Sequence, residues 1–421
     1  MKVELVNTGS ELMLGKVLNT HQQWLCRQLS DLGYVVARQI AVPDTAPDIE
    51  SAVRESLSRA GLVITTGGLG PTSDDLTRES IARMLGRKMR EDAEVLAHIQ
   101  AFFALRNRPA PERTRIEALV PEGASVLPNA HGTAPGLALR VMPNPFRSSG
   151  EESWLIMLPG PRRELVPMFT SHVVPLLLRS LPSKEPFACR TLRTTGLGES
   201  IVQEKIEGCL RELVRSGLDL GYCARPGQVD VRLAARGPNA AACVSEAETR
   251  TRARLGADIF GTGDESLEEV VVHLLIERKE TLALAESCTG GILAHQVTNV
   301  SGASAAFRAG WVAYSNEAKQ RFLGVHAETL DQHGAVSEAV AQEMAAGARR
   351  LGQTTYAIAV TGIAGPAGGS SAKPVGTVFI AIASPEGIQV RKMQNTWDRI
   401  TFKEVTAQQA LNQLRLLLIS P

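Results

Sequence analysis

The sequence predicts an α/β protein in three parts: a doubly wound parallel-sheet domain first, a small α+β unit in the middle, and a further α/β domain at the carboxyl end. Three observations carry this. Over residues 1–172, strand-like apolar runs alternate with helical patterns, as parallel βαβ units require. Residues 173–258 are more basic and mixed in pattern. From 265 to 421 the alternation returns. The 421 residues suit two or three domains of ~100–200 residues each.

In order, KVELVNT reads as a strand, 19–32 as a helix with apolar residues at helical spacing, and YVVARQIAV as a strand. PDIESAVRESLSRAG is a helix with Pro and Asp at its start and Gly at its end. LVITT is a short buried strand, followed by GGLGPTSDD and a helix over 77–85. WLIMLPG is a further strand with a Pro-containing helix after it. In the middle unit, RTLRTTG, LDLGYCA and VDVRLAAR are strands, and 200–216 is a helix. GTGDESL, 261–267, is a linker and helix start. Beyond it, TLALA ends at Glu286, and the Ser-Cys-Thr-Gly-Gly corner leads into a helix. Helices lie at 316–323 and 337–351, then the strand YAIAVTG and the loop GIAGPAGGSSAKPVG. GTVFIAIAS and GIQVRKM form a hairpin, and a helix from 401 closes the chain.

Composition narrows the function classes. Lys and Arg number 45 against 44 Asp and Glu, so there is no basic footprint for nucleic acid or anionic membrane. The six cysteines include no C-x-x-C pair, which signals neither a zinc site nor a disulfide framework. The first residues read as a strand, not a signal peptide, and no apolar run approaches the ~18 residues of a membrane span. A reducing, cytoplasmic setting is expected.

Two places concentrate chemistry. In TTGGLGPTSDD, 65–75, glycines after a buried strand let backbone approach a ligand. Free amides and a coming helix N-terminus suit a phosphate. Asp74 and Asp75 then need a divalent cation between them and the anion, or they cap the helix; the residues alone leave both readings open. Asp44, in VPDT, comes after the preceding strand, so these carboxylates lie beyond strand carboxyl ends, where open α/β sheets bind ligands. In AESCTGGILAHQ, 285–296, the tight corner exposes either Ser287 or Cys288. A serine needs a base. His295, His326 and His333 are poorly placed, and Lys319 in AYSNEAKQ, with Tyr314 and Asn316 nearby, is the better partner. Ser-Lys pairs are a variant of triad logic, provided burial keeps the amine neutral. The bland alternative is a solvated lysine on an amphipathic helix.

GSELMLG, VPDT, TTGGLGPTSDDLT, GTAPG and LPGPRRE, in this order, resemble the molybdopterin-binding-type domain of the CinA family. RTLRTTGLGES and the residues after it resemble the KH-type domain of that family. ESCTGG, GWVAYSNEAK, HGAVSE and TGIAGPAGGSSAKPVGTV resemble its carboxyl-terminal amidase domain. The resemblance implies domains at 1–172, 173–258 and 265–421. For the first it implies metal-assisted hydrolysis of ADP-ribose, with Mg²⁺ or Co²⁺ as cofactor and K⁺ as a further candidate. Asp44 and Asp75 are its metal and catalytic candidates, with Asp74 and Glu11 beside them. Gly67, Gly68, Gly70 and Thr72 would cradle the diphosphate, and His131 would reach substrate.

For the last domain the resemblance implies deamidation of nicotinamide mononucleotide without a cofactor, with Ser287 as nucleophile, Lys319 as base and Tyr314 as helper. Amides of Thr289, Gly290 and Gly291 would hold the oxyanion. Asn316, Thr361, Gly362 and Gly365 would line the substrate, and Lys373 or Arg399 would meet its phosphate. Cys288 is read as a packed small residue. The middle unit has no well-placed GXXG clamp and is read as a spacer or assembly element. A homodimer is expected, with no membrane or nucleic-acid partner. The rival readings are a nucleotide- or pterin-binding module without turnover, and a nucleic-acid partner in competence or repair.

Overall fold

The computed structural model describes residues 1–148, 150–182 and 185–420. The chain divides into two compact units, Met1–Ala188 and Cys189–Pro421. No helix among the described residues is long and apolar enough to cross a membrane.

The first unit is built on a six-stranded sheet in the order Val35–Val42, Lys2–Thr8, Leu62–Thr66, Ser153–Leu158, Gly136–Val141, Ala124–Leu127. The first four run parallel and the last two antiparallel. Leu62–Thr66 is buried throughout, which explains its unbroken apolar run: a central parallel strand is covered on both faces. The helices Thr20–Asp31 and Ala46–Arg59 start at side-chain caps, Asn19 and Thr45. The antiparallel pair and the helix Ala93–Ala104, which starts at an Asp92 side-chain cap, add to the elements expected from the sequence. Residue 172 lies within the continuous helical stretch from Arg162 to Ser180.

The second unit holds two sheets. One has four strands in the order Asp219–Arg225, Gln228–Arg236, Phe187–Thr195, Ile259–Thr262, with helices Glu199–Arg215 and Ala240–Leu255. The other has five, in the order Phe307–Val312, Leu282–Glu286, Tyr356–Gly362, Thr377–Ser384, Gly387–Gln394. Its first three strands are parallel, and the hairpin adds two antiparallel ones. The helices Leu267–Glu277 and Arg399–Ile419 share one apolar cluster with it; the helix Glu338–Gly352 shares the other. That second cluster is rich in alanine, including Ala283, Ala285, Ala345, Ala348 and Ala357, so backbones approach closely.

The closest approach is at Gly347. A Cβ there would lie 1.9 Å from the Leu323 carbonyl oxygen, at the end of the helix Asn316–Leu323 that carries Lys319. Gly347→Ala is therefore expected to destabilise the second unit by about 1–3 kcal/mol, the usual range for overpacking, because a backbone carbonyl cannot rotate away. Chemical denaturation of the variant checks this; an unchanged midpoint would show that the helices separate freely.

Candidate active sites

In the first unit, four strand ends converge on one cavity of about 440 Å³. Its wall includes Thr8, Gly9 and Glu11 at the end of Lys2–Thr8, Asp44 after Val35–Val42, and Gly67, Gly68 and Gly70 after Leu62–Thr66. Pro159, Gly160 and Arg163 come after Ser153–Leu158. Two glycines are required sterically: Gly67 and Gly68 have φ of +97° and +64°. A Cβ on Gly67 would lie 2.6 Å from the Thr8 carbonyl oxygen, and one on Gly68 would lie 2.2 Å from Thr77 Oγ1.

Asp44, Asp74 and Asp75 all face this cavity. The helix Thr77–Met84 has Leu76 at its N-cap and no side-chain cap, so the aspartates are not capping it. Asp75 accepts instead from the Thr72 amide at 2.9 Å and from the Thr72 hydroxyl. Thr72 thus orients a carboxylate and is not itself part of the cavity wall. Asp44 accepts from the Ser10 amide at 2.7 Å. The Thr72 hydroxyl and its own amide hold the exposed Asp74 carboxyl below the usual carboxylate range.

Two further carboxylates of the wall carry no sequence signal. Glu117 is 1% exposed, lines the cavity, and accepts from Thr133 Oγ1 at 3.2 Å through one oxygen. Its other oxygen has no partner, and burial pushes its pKa up to about 7. Glu164 accepts from Asn129 Nδ2 at 2.9 Å and also lines the cavity. His131 is exposed and is not in the wall, whereas its neighbours Gly132, Thr133 and Ala134 are.

Glu11, Asp44, Asp74, Asp75, Glu117 and Glu164 face Arg163 alone among the charged wall residues. Such a wall disfavours a bare anion and favours one that arrives with a cation. Among the described residues no three His, Cys, Asp or Glu side chains converge as a ligand set. Mg²⁺ commonly takes only one or two carboxylates and completes its shell with substrate phosphates and water. The donor set fits that mode.

In the second unit, the fully buried strand Leu282–Glu286 ends at the Ser287 corner. Lys319 Nζ lies 3.0 Å from Ser287 Oγ. It also donates to the carbonyl oxygens of Ala313 at 2.9 Å and Tyr314 at 3.0 Å. Lys319 is 1% exposed and Ser287 8%. Burial lowers the lysine pKa, and no carboxylate pairs with it among the described residues. The two carbonyls can only accept, so they take two N–H bonds. In its neutral form the amine would turn its lone pair to the serine hydroxyl; in its charged form it donates to all three oxygens.

The corner is held by Glu286, which in the sequence looks like a plain strand end. It is 1% exposed and accepts from the amides of Gly291, Leu293 and Ala294 at 2.9, 3.1 and 2.8 Å, capping the helix Ile292–Thr298. The Gly291 amide is therefore committed, and the Gly290 amide donates to the Ser287 carbonyl at 3.1 Å. Among the described residues the Thr289 amide meets no backbone carbonyl. Cys288 belongs to the apolar cluster, and burial pushes its thiol up to about 12.

Around this centre, Tyr314 is 61% exposed, and its phenol oxygen accepts from Arg399 Nη2 at 3.0 Å; it is the backbone carbonyl that reaches Lys319. Arg399 Nη1 donates to the Gly365 carbonyl at 2.8 Å. Thr361 is buried, and its hydroxyl donates to the Ala335 carbonyl at 2.8 Å. Gly362 packs against the neighbouring strand, where a Cβ would lie 2.9 Å from the Thr377 carbonyl oxygen. Asn316 is exposed at the start of its helix. Lys373 Nζ donates to the His333 carbonyl at 2.6 Å.

Family comparison agrees with this division. Residues 4–179 match the model described as "Probable molybdopterin binding domain", 189–261 the "Damage-inducible protein CinA KH domain" and 264–418 the "CinA C-terminal domain". A CinA-like protein of Akkermansia muciniphila is 43% identical over 412 residues, spanning 98% of this chain and 96% of the relative. A CinA-like protein of Kosmotoga olearia is 40% identical over 422 residues, spanning 100% of this chain and 99% of the relative. With matches that run the full length and three domain models in register, the chain belongs to the CinA family.

Proposed function

We propose that the carboxyl-terminal domain is an amidase that converts nicotinamide mononucleotide to nicotinate mononucleotide and ammonia. One observation carries this reading: a buried lysine with no counter-ion among the described residues, 3.0 Å from a serine hydroxyl at a strand-to-helix corner. Neutral Lys319 accepts the Ser287 proton as Oγ attacks the carboxamide carbon. The Thr289 amide, which meets no backbone carbonyl among the described residues, would hold the developing oxyanion; one such donor is worth roughly 100–1000-fold in rate. The Lys319 ammonium then protonates the departing nitrogen, and ammonia leaves an acyl-serine. Water, deprotonated by Lys319, releases the carboxylate and restores Ser287. The Cys288 thiol, packed among apolar side chains and held protonated, takes no part.

For the amino-terminal domain we propose hydrolysis of ADP-ribose to AMP and ribose 5-phosphate. Asp44 and Asp75, with Asp74 beside them, would hold a divalent cation, Mg²⁺ or Co²⁺, with K⁺ as a further candidate. When bound, the cation neutralises diphosphate charge and lowers the pKa of a water nucleophile. The loop Gly67, Gly68 and Gly70 presents backbone to the diphosphate, and Thr72 fixes the Asp75 carboxylate. The acidic wall supports this reading over a pterin or nucleotide carrier, since six carboxylates oppose an anion held without a cation. Both activities would consume fragments of one class of dinucleotide, in a cytoplasmic homodimer that takes no nucleic-acid partner.

Ser287→Ala and Lys319→Ala are each expected to lower ammonia release from nicotinamide mononucleotide by about 10³-fold or more, measured against wild type; ammonia release unchanged in both removes the mechanism. The base must be neutral, so the rate should rise with pH as Lys319 loses its proton. Because burial lowers that pKa, the midpoint should fall below the ordinary lysine value of 10.5. A pH–rate profile with its limb at or above 10.5 contradicts this. A chelator should abolish AMP release from ADP-ribose and leave ammonia release intact; the same assay pair with Asp75→Asn should reproduce the split.

A further inference from the structure

Of the two cations expected to meet a phosphate at the carboxyl-terminal site, one is spent elsewhere and the other is tied down. Lys373 gives its ammonium to the His333 carbonyl. Arg399 bridges the Gly365 carbonyl and the Tyr314 phenol, which fixes it at the rim. One turn further along the helix Arg399–Ile419, Lys403 occupies the i+4 position on the same face. Its side chain lies over the nucleophile corner: a Cβ built on Gly290 would be 3.4 Å from Lys403 Nζ and 3.7 Å from its Cε. Lys403 is half-buried, and among the described residues its ammonium has no acidic or carbonyl partner.

We propose that Lys403 binds the phosphate of the substrate and makes the site select a phosphorylated amide over its dephosphorylated counterpart. This inference rests on the mononucleotide reading above. Gly290 is exposed with φ +63°, so the approach to the ammonium crosses a position that has no side chain. Among the described residues, the one carboxylate built into the corner, Glu286, spends both oxygens on three amides and is not directed at Lys403. Ser287 and the cation beside Gly290 thus flank one corner. A substrate with a carboxamide at one end and an anion at the other spans it.

The test uses full-length Ser287→Ala protein, which binds without turnover, and titrates nicotinamide mononucleotide and nicotinamide riboside by calorimetry. Adding Lys403→Gln should weaken mononucleotide binding roughly tenfold to a hundredfold, the worth of one charge-assisted hydrogen bond. The preference for mononucleotide over riboside should fall by the same factor. Lys403→Arg should stay within about threefold of the parent, which separates loss of charge from loss of fold. Unchanged mononucleotide affinity in Lys403→Gln, equal weakening of both ligands, or no mononucleotide binding by the parent would each overturn the proposal. Wild-type protein that binds mononucleotide through Lys403 but releases no ammonia would sink the deamidase reading while leaving Lys403 in its role.

Discussion

The carboxyl-terminal domain depends on one constraint: an amine taken out of water with no carboxylate to receive it. A buried, unpaired ammonium is costly, and proteins commonly relieve the cost by shifting the pKa and shedding the proton. Lys319 meets two carbonyls and a hydroxyl, a set that satisfies a neutral amine fully. Moving any of the three would strand an N–H or the lone pair. The surrounding packing serves this need. The helix Asn316–Leu323 is pinned by Gly347 at its end and capped by Ser315 at its start. The Ala313 carbonyl is itself held in place, since the Ala313 amide donates to the Glu286 carbonyl at 2.8 Å.

The two sites solve opposite electrostatic problems. The amino-terminal cavity gathers carboxylates around a glycine loop, a wall that favours positive charge brought from outside. At the Ser287 corner Glu286 answers a helix N-terminus, Lys319 meets two carbonyls, and the charge left over is the Lys403 ammonium beside Gly290.

Much of this is legible in the sequence, for identifiable reasons. The glycine loops and the Ser287 corner are visible because positive-φ glycines directly after buried strands have few other uses. The α/β alternation is visible because parallel strands carry continuous apolar runs. What stays hidden depends on atoms common to every residue. The Ala313 and Tyr314 carbonyls cannot be distinguished in a sequence from any others, so the sequence credits Tyr314 through its phenol. Glu286 looks like the polar end of a strand, since the three amides it accepts from lie five to eight residues on. Glu117 sits in a 3₁₀ turn, Glu112–Ala118, whose apolar spacing matches neither helix nor strand. The glycine amides at 290 and 291 are expected to be free because helix N-termini usually are; a side-chain cap from the preceding strand takes one of them.

The middle domain gains a physical role from the same contacts. Arg193, on the strand Phe187–Thr195, pairs with buried Asp230 at 3.2 Å and donates to the Glu265 carbonyl, at the entry to the carboxyl-terminal domain. Arg415, on the helix Arg399–Ile419, is buried and donates to the carbonyls of Ala257 and Ile259. The helix that carries Arg399 and Lys403 at one end is thus fastened to the middle domain at the other. A buried guanidinium that lost its acceptors would carry an unsatisfied charge, at a cost of several kcal/mol, so this attachment resists sliding of the helix along its axis. A shift of one turn would move Lys403 by about 5.4 Å, off the Gly290 corner altogether. The middle domain therefore does for the cationic rim what Gly347 does for Lys319: it sets where along its axis a functional helix comes to rest.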